Sequence, residues 1–268
     1  MTERLNGVIK ALEQGVTFTS FIQAEVESAV TFAQSANDGV VFELEHNPWD
    51  IRALREAMQF LLLRERVVRG NPVTPLVRIP PSGSEMNLWF AKQALDLGAF
   101  GIVWPRISTP EEAYNAVAAC RYPPDGLRGD APLAAARYWG LPQREYYKRA
   151  DVWPLAPDGE LLVVLMIEDR AAVNNLETIL KEVPGIGVLL IGEGDLTQEL
   201  GCPREYDNPE LLRLMDHVLE VGKAYNVPVG HPHVNEDNVA RVIEEGYRFL
   251  MTYPRRDFSA LEKGRGLL

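Results

Sequence analysis

Cysteine is scarce in this chain: Cys120 and Cys202 are the two such residues among 268, and no CxxC pair occurs. A disulfide framework and a cysteine-clustered zinc site are therefore excluded. Two free thiols fit a reducing compartment, and a cytoplasmic location is expected. Histidine is also sparse, with four residues, and cationic side chains are outnumbered. Lys and Arg total 27 against 38 Asp and Glu, a formal net charge of −11. A sequence-independent nucleic-acid binder needs a basic footprint, and an anionic membrane surface selects for one, so neither partner is expected. No apolar run approaches the roughly 18 residues of a membrane-spanning helix. The opening stretch MTERLNGVIKALEQG is charged and amphipathic and lacks the apolar core of a signal peptide. No GxGxxG follows the first strand-like run, which argues against a dinucleotide-binding fold.

What is present is an alternation of short apolar runs with longer amphipathic segments. The runs VTFTSF (16–21), GVVFELE (39–45), TPLVRIP (74–80), FGIVWP (100–105), LLVVLMIE (161–168), GVLLIG (187–192), VPVGHP (227–232) and RFLMTYP (248–254) read as buried parallel strands. Between them lie segments with helical periodicity, among them 50–67, 84–98, 109–120, 208–226 and 235–246. Several open on Ser, Thr, Asp or Asn and carry acids in their first turn, as N-capped helices do. Eight such units in a chain of this length predict an α/β protein, a single (β/α)8 TIM barrel over residues 1–268. A long stretch at 120–160 separates two of the strands. A segment of that length is expected to be a lid, a binding loop or an oligomer contact. Its aromatics Tyr138, Trp139, Tyr146, Tyr147 and Trp153 require something to pack on.

Barrel chemistry sits at the C-terminal ends of the strands, so the polar residues closing each run are the candidates. They are Glu43, Glu45 and His46, then Arg78, then Glu168 and Asp169, then Gly192-Glu193-Gly194-Asp195, then His231 and His233. Charged groups closing apolar strands are costly unless paired or ligating. Glu168 and Asp195 close adjacent strands and suit a hard divalent ion, with water and substrate oxygens completing its shell. The competing readings are an ion pair between Glu168 and Arg78, and Asp195 as a helix cap. Arg78 offers a planar fork to a carboxylate, or a structural ion pair at the barrel mouth. His46 is an acid/base candidate because its ordinary pKa is near neutrality. The GEGD turn exposes backbone amides to an anion. His231-Pro-His233 has the look of a zinc pair, although the further histidine ligands that a zinc hydrolase needs are lacking.

At these residues the sequence resembles the class II 2-keto-3-deoxy acid aldolases. These are the HpcH/HpaI aldolase/citrate lyase family of the pyruvate/phosphoenolpyruvate barrel superfamily. The resemblance runs from about residue 16 to 253 and rests on ELEHNPWD (43–50), TPLVRIP (74–80), ALDLGAFGIVWPRISTPEEA (94–113), CRYPPDGLRG (120–129), MIED beginning at 166, and GVLLIGEGDLTQELG (187–201). It implies metal-binding roles for Glu168 and Asp195, with Mg²⁺, Mn²⁺ or Co²⁺ as the ion. It implies that Arg78 holds the keto acid and that His46 is the acid/base residue. Asp96 would pair with that histidine, coming from a neighbouring subunit, and the amides of Gly192 and Gly194 would receive the pyruvate carboxylate.

The implied activity is cleavage of a 4-hydroxy-2-oxo acid to pyruvate or hydroxypyruvate plus an aldehyde. The implied assembly is a homo-oligomer, with a hexamer favoured and the last helix packed on a neighbouring subunit. Several positions depart from the family pattern. Met166 replaces the usual Gln, and alternation turns it into the site beside Glu168. Glu193 adds an acid where the family has GP-x-D, and Glu43 stands for Asp. WPR replaces VPM, which puts Trp104 and Arg106 near the mouth. These changes leave open another enolate-forming carbon–carbon lyase with a non-pyruvate donor, or a keto-acid-binding barrel without turnover. Arg78, Arg106, Arg128, Arg255 and Arg256 are the candidates for a locally positive mouth on an acidic protein.

Overall fold

The computed structural model describes residues 3–81, 88–252 and 259–268. Its nine strands are β1 (Thr17–Ile22), β2 (Gly39–Glu43), β3 (Thr74–Arg78), β4 (Gly101–Trp104), β5 (Val152–Trp153), β6 (Leu161–Ile167), β7 (Val188–Ile191), β8 (Val229–Val234) and β9 (Phe249–Thr252). All pairings are parallel. Strands β1, β2, β3, β4, β6, β7, β8 and β9 close into an eight-stranded ring through a β9–β1 pair and a β4–β6 pair. The barrel is therefore as expected, and the reason is visible in the residues. β6 reads LLVVLMI and is buried at every position, which only a strand covered by helices on one side and barrel interior on the other requires. β5 is a short ninth strand inside the 120–160 stretch, paired to the start of β6.

The helices follow their caps. Asp50 accepts from the Arg52 and Ala53 amides and starts Ile51–Leu61, which buries Leu54, Ala57, Met58 and Leu61. Thr109 and Glu112 form a reciprocal capping box at the head of Pro110–Cys120. Asn208 caps Pro209–Ala224. The segment expected as one helix over 50–67 is two, Ile51–Leu61 and Arg64–Val68. The break at Leu62 has no Gly or Pro to signal it. The second piece is instead held by Arg66, whose guanidinium donates to the carbonyls of Ser35 and Asn37.

The 120–160 stretch packs on the barrel flank and its N-terminal end. Tyr138 donates to the Met58 carbonyl, Trp139 donates to the Gly98 carbonyl, and the Trp139 ring stacks on Phe100 at 4.4 Å. Fully buried Tyr146 accepts from Arg128 at 2.9 Å. Glu160 accepts from the Leu5 and Asn6 amides and from Arg149. The aromatics thus find their packing on this chain, away from the strands' C-terminal ends. The last helix, Ser259–Arg265, packs one face on its own barrel. Gly264 lies so close to the Phe18 ring that a Cβ there would sit 2.7 Å from it. Arg265 covers the same ring and pairs with Asp38 at 2.8 Å.

Candidate active site

A cavity of about 590 Å³ opens at the C-terminal ends of the strands. Its wall includes Glu43, His46, Arg78, Met166, Gly192, Gly194 and Asp195 from the predicted set, with Phe21, Glu193, Tyr206 and His233. Sheet register explains the grouping. Glu43 and Arg78 are partners across β2 and β3, and Met166 and Ile167 pair with Leu190 and Ile191 across β6 and β7. Glu168, one residue past its strand, therefore lies against Gly192. A Cβ on Gly192 would be 2.4 Å from Glu168 Cβ and 2.9 Å from its Oε2, so only glycine admits the carboxylate there.

Arg78 is nine-tenths buried and anchored on three sides. It bonds to Glu43, lies 3.1 Å from Glu45 Oε2, and its Nη1 reaches the Met166 sulfur at 3.6 Å. Phe21 lies under the guanidinium at 4.4 Å. The fork is thus held by Glu43 and Glu45 rather than by Glu168. Its Nε has no hydrogen-bond partner among the described residues. Glu43 Oε1 also accepts from the Glu45 and His46 amides, which fixes the turn that carries His46. The His46 side chain is 68% exposed, with Nε2 3.6 Å from Glu45 Oε2.

Glu168 is buried, and burial together with the charges of Glu45 and Asp195 pushes its carboxyl up to about 7. The Arg106 amide donates to its Oε1 and opposes that shift. Burial raises Glu45 as well, opposed by Arg78. Asp195 lies in the first turn of the helix Glu193–Glu199, behind Gly192 at the N-cap, and makes no side-chain cap. Its Oδ1 is 3.0 Å from Arg106 Nη2. A buried carboxyl whose proton affinity is raised beside Asp195, itself on the cavity wall, makes with it a donor set that a hard divalent cation would relieve. Among the described residues no three Asp, Glu, His or Cys side chains converge as ligands, so the remainder of a coordination shell would come from water and substrate.

Several expected residues behave otherwise. Trp104 is fully buried beside Cys120 and is not on the cavity wall, because its position on β4 turns it away from the mouth. Asp96 is held by Lys92 at 2.6 Å and by Arg128 at 3.1 Å, and within one chain it does not reach His46. Arg128, buried with it, is no part of the mouth. Arg255 and Arg256 lie outside the described residues. Asp169 is an N-cap, accepting from the Ala172 amide and from Ser108. The Gly192 amide is engaged by the Ile167 carbonyl at 2.9 Å, leaving Gly194 as the glycine amide of that turn open to an anion. His231 and His233 both approach buried Glu193, at 3.5 and 2.9 Å, instead of forming an independent zinc pair. That cluster and the grip of Glu45 on Arg78 went unread in the sequence. Each depends on an acid past a strand end, Glu193 after β7 and Glu45 after β2, where alternation no longer fixes direction.

The family model for HpcH/HpaI aldolase/citrate lyase matches residues 19–252. The chain belongs to that family. It is an enzyme of the carbon–carbon lyase class, an aldolase. A hydroxypyruvate/pyruvate aldolase of Roseobacter denitrificans is 30% identical over 233 residues, covering 85% of this chain and 84% of that protein. A 4-hydroxy-2-oxovalerate aldolase of Rhodococcus jostii is 33% identical over 233 residues, covering 85% and 83%. The crystal structure of an HpcH/HpaI family protein from Burkholderia cenocepacia J2315 has a TM-score of 0.78 with 28% identity and covers 98% of this chain and 97% of that one. No helix among the described residues is long and apolar enough to cross a membrane.

Proposed function

We propose that the protein is a divalent-metal-dependent aldolase. It would cleave a 4-hydroxy-2-oxo acid to pyruvate, or hydroxypyruvate, and an aldehyde. The observation that carries this reading is the clamped Arg78 and Asp195 on the wall of one cavity, with Glu168 buried directly behind its Gly192 and pushed up to about 7 by burial and its acidic neighbours. The relatives named for pyruvate, hydroxypyruvate and 4-hydroxy-2-oxovalerate support it. Glu168 and Asp195 are the residues that would hold the ion; when bound, Mg²⁺, Mn²⁺ or Co²⁺ supplies Lewis-acid stabilisation of negative charge on the keto oxygen.

The chain's own residues do the rest. Arg78 sets a fixed positive charge where negative charge develops as the C3–C4 bond breaks, and Glu43 and Glu45 hold it there without reorganisation. Met166 and Phe21 pack against the guanidinium and exclude water from it. The Gly194 amide, in the first helical turn, is available to the substrate carboxylate. His46 is the group that moves the proton on the aldehyde or alcohol oxygen, with Glu45 beside it. Its pairing with Asp96 would be made between two chains, as the family resemblance implies, with Lys92 and Arg128 fixing the Asp96 carboxylate from its own chain. A homo-oligomer is therefore part of the proposal, and sedimentation of the purified protein tests it.

A second reading is favoured by Met166, an apolar contact to Arg78 where the family has an amide. It keeps the bond-breaking chemistry with a donor other than pyruvate. Both are tested by exchange of pyruvate methyl protons in D₂O, followed by NMR with Mg²⁺, Mn²⁺ or Co²⁺ and with EDTA. Metal-dependent exchange that Glu168→Gln abolishes is the expected result. Bound metal without exchange would overturn pyruvate as donor, and hydroxypyruvate and other keto acids would then be assayed in the same way.

A further inference from the structure

One residue, Arg106, holds both carboxylates of the candidate metal site. Its backbone N–H donates to Glu168 Oε1, and its guanidinium Nη2 lies 3.0 Å from Asp195 Oδ1. The backbone is in an unusual state to achieve this. Arg106 has φ of 55°, one of three non-glycine residues in the left-handed region among the described residues. That region costs an L-residue roughly 1–2 kcal/mol, and such strain persists where the surroundings over-determine it. Glycine or asparagine would meet the backbone requirement at lower cost, so the choice of a long cationic side chain asks for a separate reason. Its guanidinium, half-exposed at the rim, meets one partner there, Asp195. Pro105 and fully buried Trp104 precede it and fix the direction from which it arrives.

We propose that Arg106 is the resident counter-ion of this carboxylate pair, and that a divalent cation must displace its guanidinium from Asp195 to bind. The inference rests on the reading of Glu168 and Asp195 as the metal ligands. Its physical basis is that a carboxylate oxygen in a charge-assisted bond to a guanidinium has surrendered lone-pair capacity a metal would use, and that a positive charge a few ångströms from the ion repels it. Arg106 thereby acts as a positioning residue. It keeps the two acids together before the metal arrives, at the expense of metal affinity. Once displaced, the guanidinium is left at the rim, within reach of an anionic group on the incoming substrate.

The test is titration of Mn²⁺ into metal-free protein, read by the electron paramagnetic resonance of free Mn²⁺, for the wild type, Arg106→Met, Arg106→Lys and Glu168→Gln. Arg106→Met is expected to bind Mn²⁺ about five- to tenfold more tightly, the scale set by losing one half-exposed ion pair and one repelling charge. Arg106→Lys, which keeps the charge, should bind as the wild type does. Thermal melts in EDTA check the fold, and Arg106→Met should melt below Arg106→Lys there, because the acids lose their counter-ion. Equal or weaker Mn²⁺ affinity in a folded Arg106→Met protein would overturn the inference while leaving the metal site intact. Unchanged affinity in Glu168→Gln would instead overturn the assignment of the metal site itself.

Discussion

Gly192 and Gly194 flank one acid in a single turn, and they make opposite demands. A methyl group at Gly192 would lie 2.4 Å from Glu168 Cβ, where carbon–carbon contacts are ordinarily about 3.5–4.0 Å. Relief requires Glu168 to move by about 1 Å, since Gly192 is pinned by its bond to the Ile167 carbonyl. A shift of that size in a catalytic group costs about a hundredfold in kcat/KM, and overpacking of this kind about 1–3 kcal/mol of stability. The backbone is not the obstacle. Gly192 has φ of −100°, which alanine accepts. At Gly194 a Cβ meets nothing within 4 Å, and replacing a helical glycine by alanine gains about 0.5–1 kcal/mol. Gly192→Ala is therefore expected to lose Mn²⁺ affinity and turnover together, while Gly194→Ala keeps its Mn²⁺ affinity and unfolds at higher urea. Mn²⁺ titration, retro-aldol kinetics and urea denaturation of the two variants side by side make the measurement. Equal metal affinity in the two would refute the claim that the close approach of Gly192 sets the position of Glu168.

Glu168 is held up to about 7 in the folded state against an ordinary value of 4.5, so its contribution to stability is present below about pH 4.5 and is lost as pH rises through about 7. In EDTA, Glu168→Gln should then stabilise the protein by up to about 3 kcal/mol above pH 8 and by nothing near pH 4, as read by urea denaturation. Arg78→Lys keeps the charge and loses the fork that meets Glu43 and Glu45. Steady-state kinetics should show kcat/KM down by about 10²–10³, with the circular dichroism spectrum unchanged. Arg78→Met leaves those carboxylates buried and unpaired and should cost about 3–5 kcal/mol in urea denaturation. Tyr146→Phe removes the hydroxyl that accepts from buried Arg128. It should cost about 1–3 kcal/mol while KM stays constant, because no described residue of 120–160 lines the cavity.

Those effects separate what could be read from the sequence from what could not. The barrel was legible because each strand is short, apolar and buried on both faces, and because the acids, Arg78 and the histidines fall where such runs end. Met166 was legible by parity, since it lies inside β6 and two residues before Glu168. Parity fails one step later. Glu45 and Arg106 lie past the ends of β2 and β4, and their contacts with Arg78 and with the carboxylate pair depend on loop geometry that no alternation encodes. Trp104 is the last residue of β4, and local sequence did not show that it faces the helices. Asp169 looked like a member of the acidic set and is a cap, because a helix begins immediately behind it. The packing of 120–160 on the flank was hinted at by its aromatics, while its placement at the far end of the barrel required the partners Phe100, Gly98 and Glu160 to be located in space.

The arrangement of charge at the mouth carries one consequence for the order of events. Glu43, Glu45, Glu168 and Asp195 face two guanidiniums among the described residues, Arg78 between the first two and Arg106 on the last. Glu168 has a backbone amide as its hydrogen-bond donor and no guanidinium bonded to it. With every group ionised, the site holds more negative than positive charge, and a keto acid would bring one more negative charge into it. Two physical remedies exist: a proton on Glu168, which its elevated pKa permits near neutrality, or a cation between Glu168 and Asp195. The proton neutralises the site without adding any attraction for an anion. The divalent cation both relieves the acids and leaves positive charge facing the substrate, so an anionic keto acid is held better by the loaded site than by the protonated one. The acidity of the protein as a whole is thus compatible with the proposed anionic substrate, because the charges that matter are the few at the mouth, and under the proposed function a cation would enter there first.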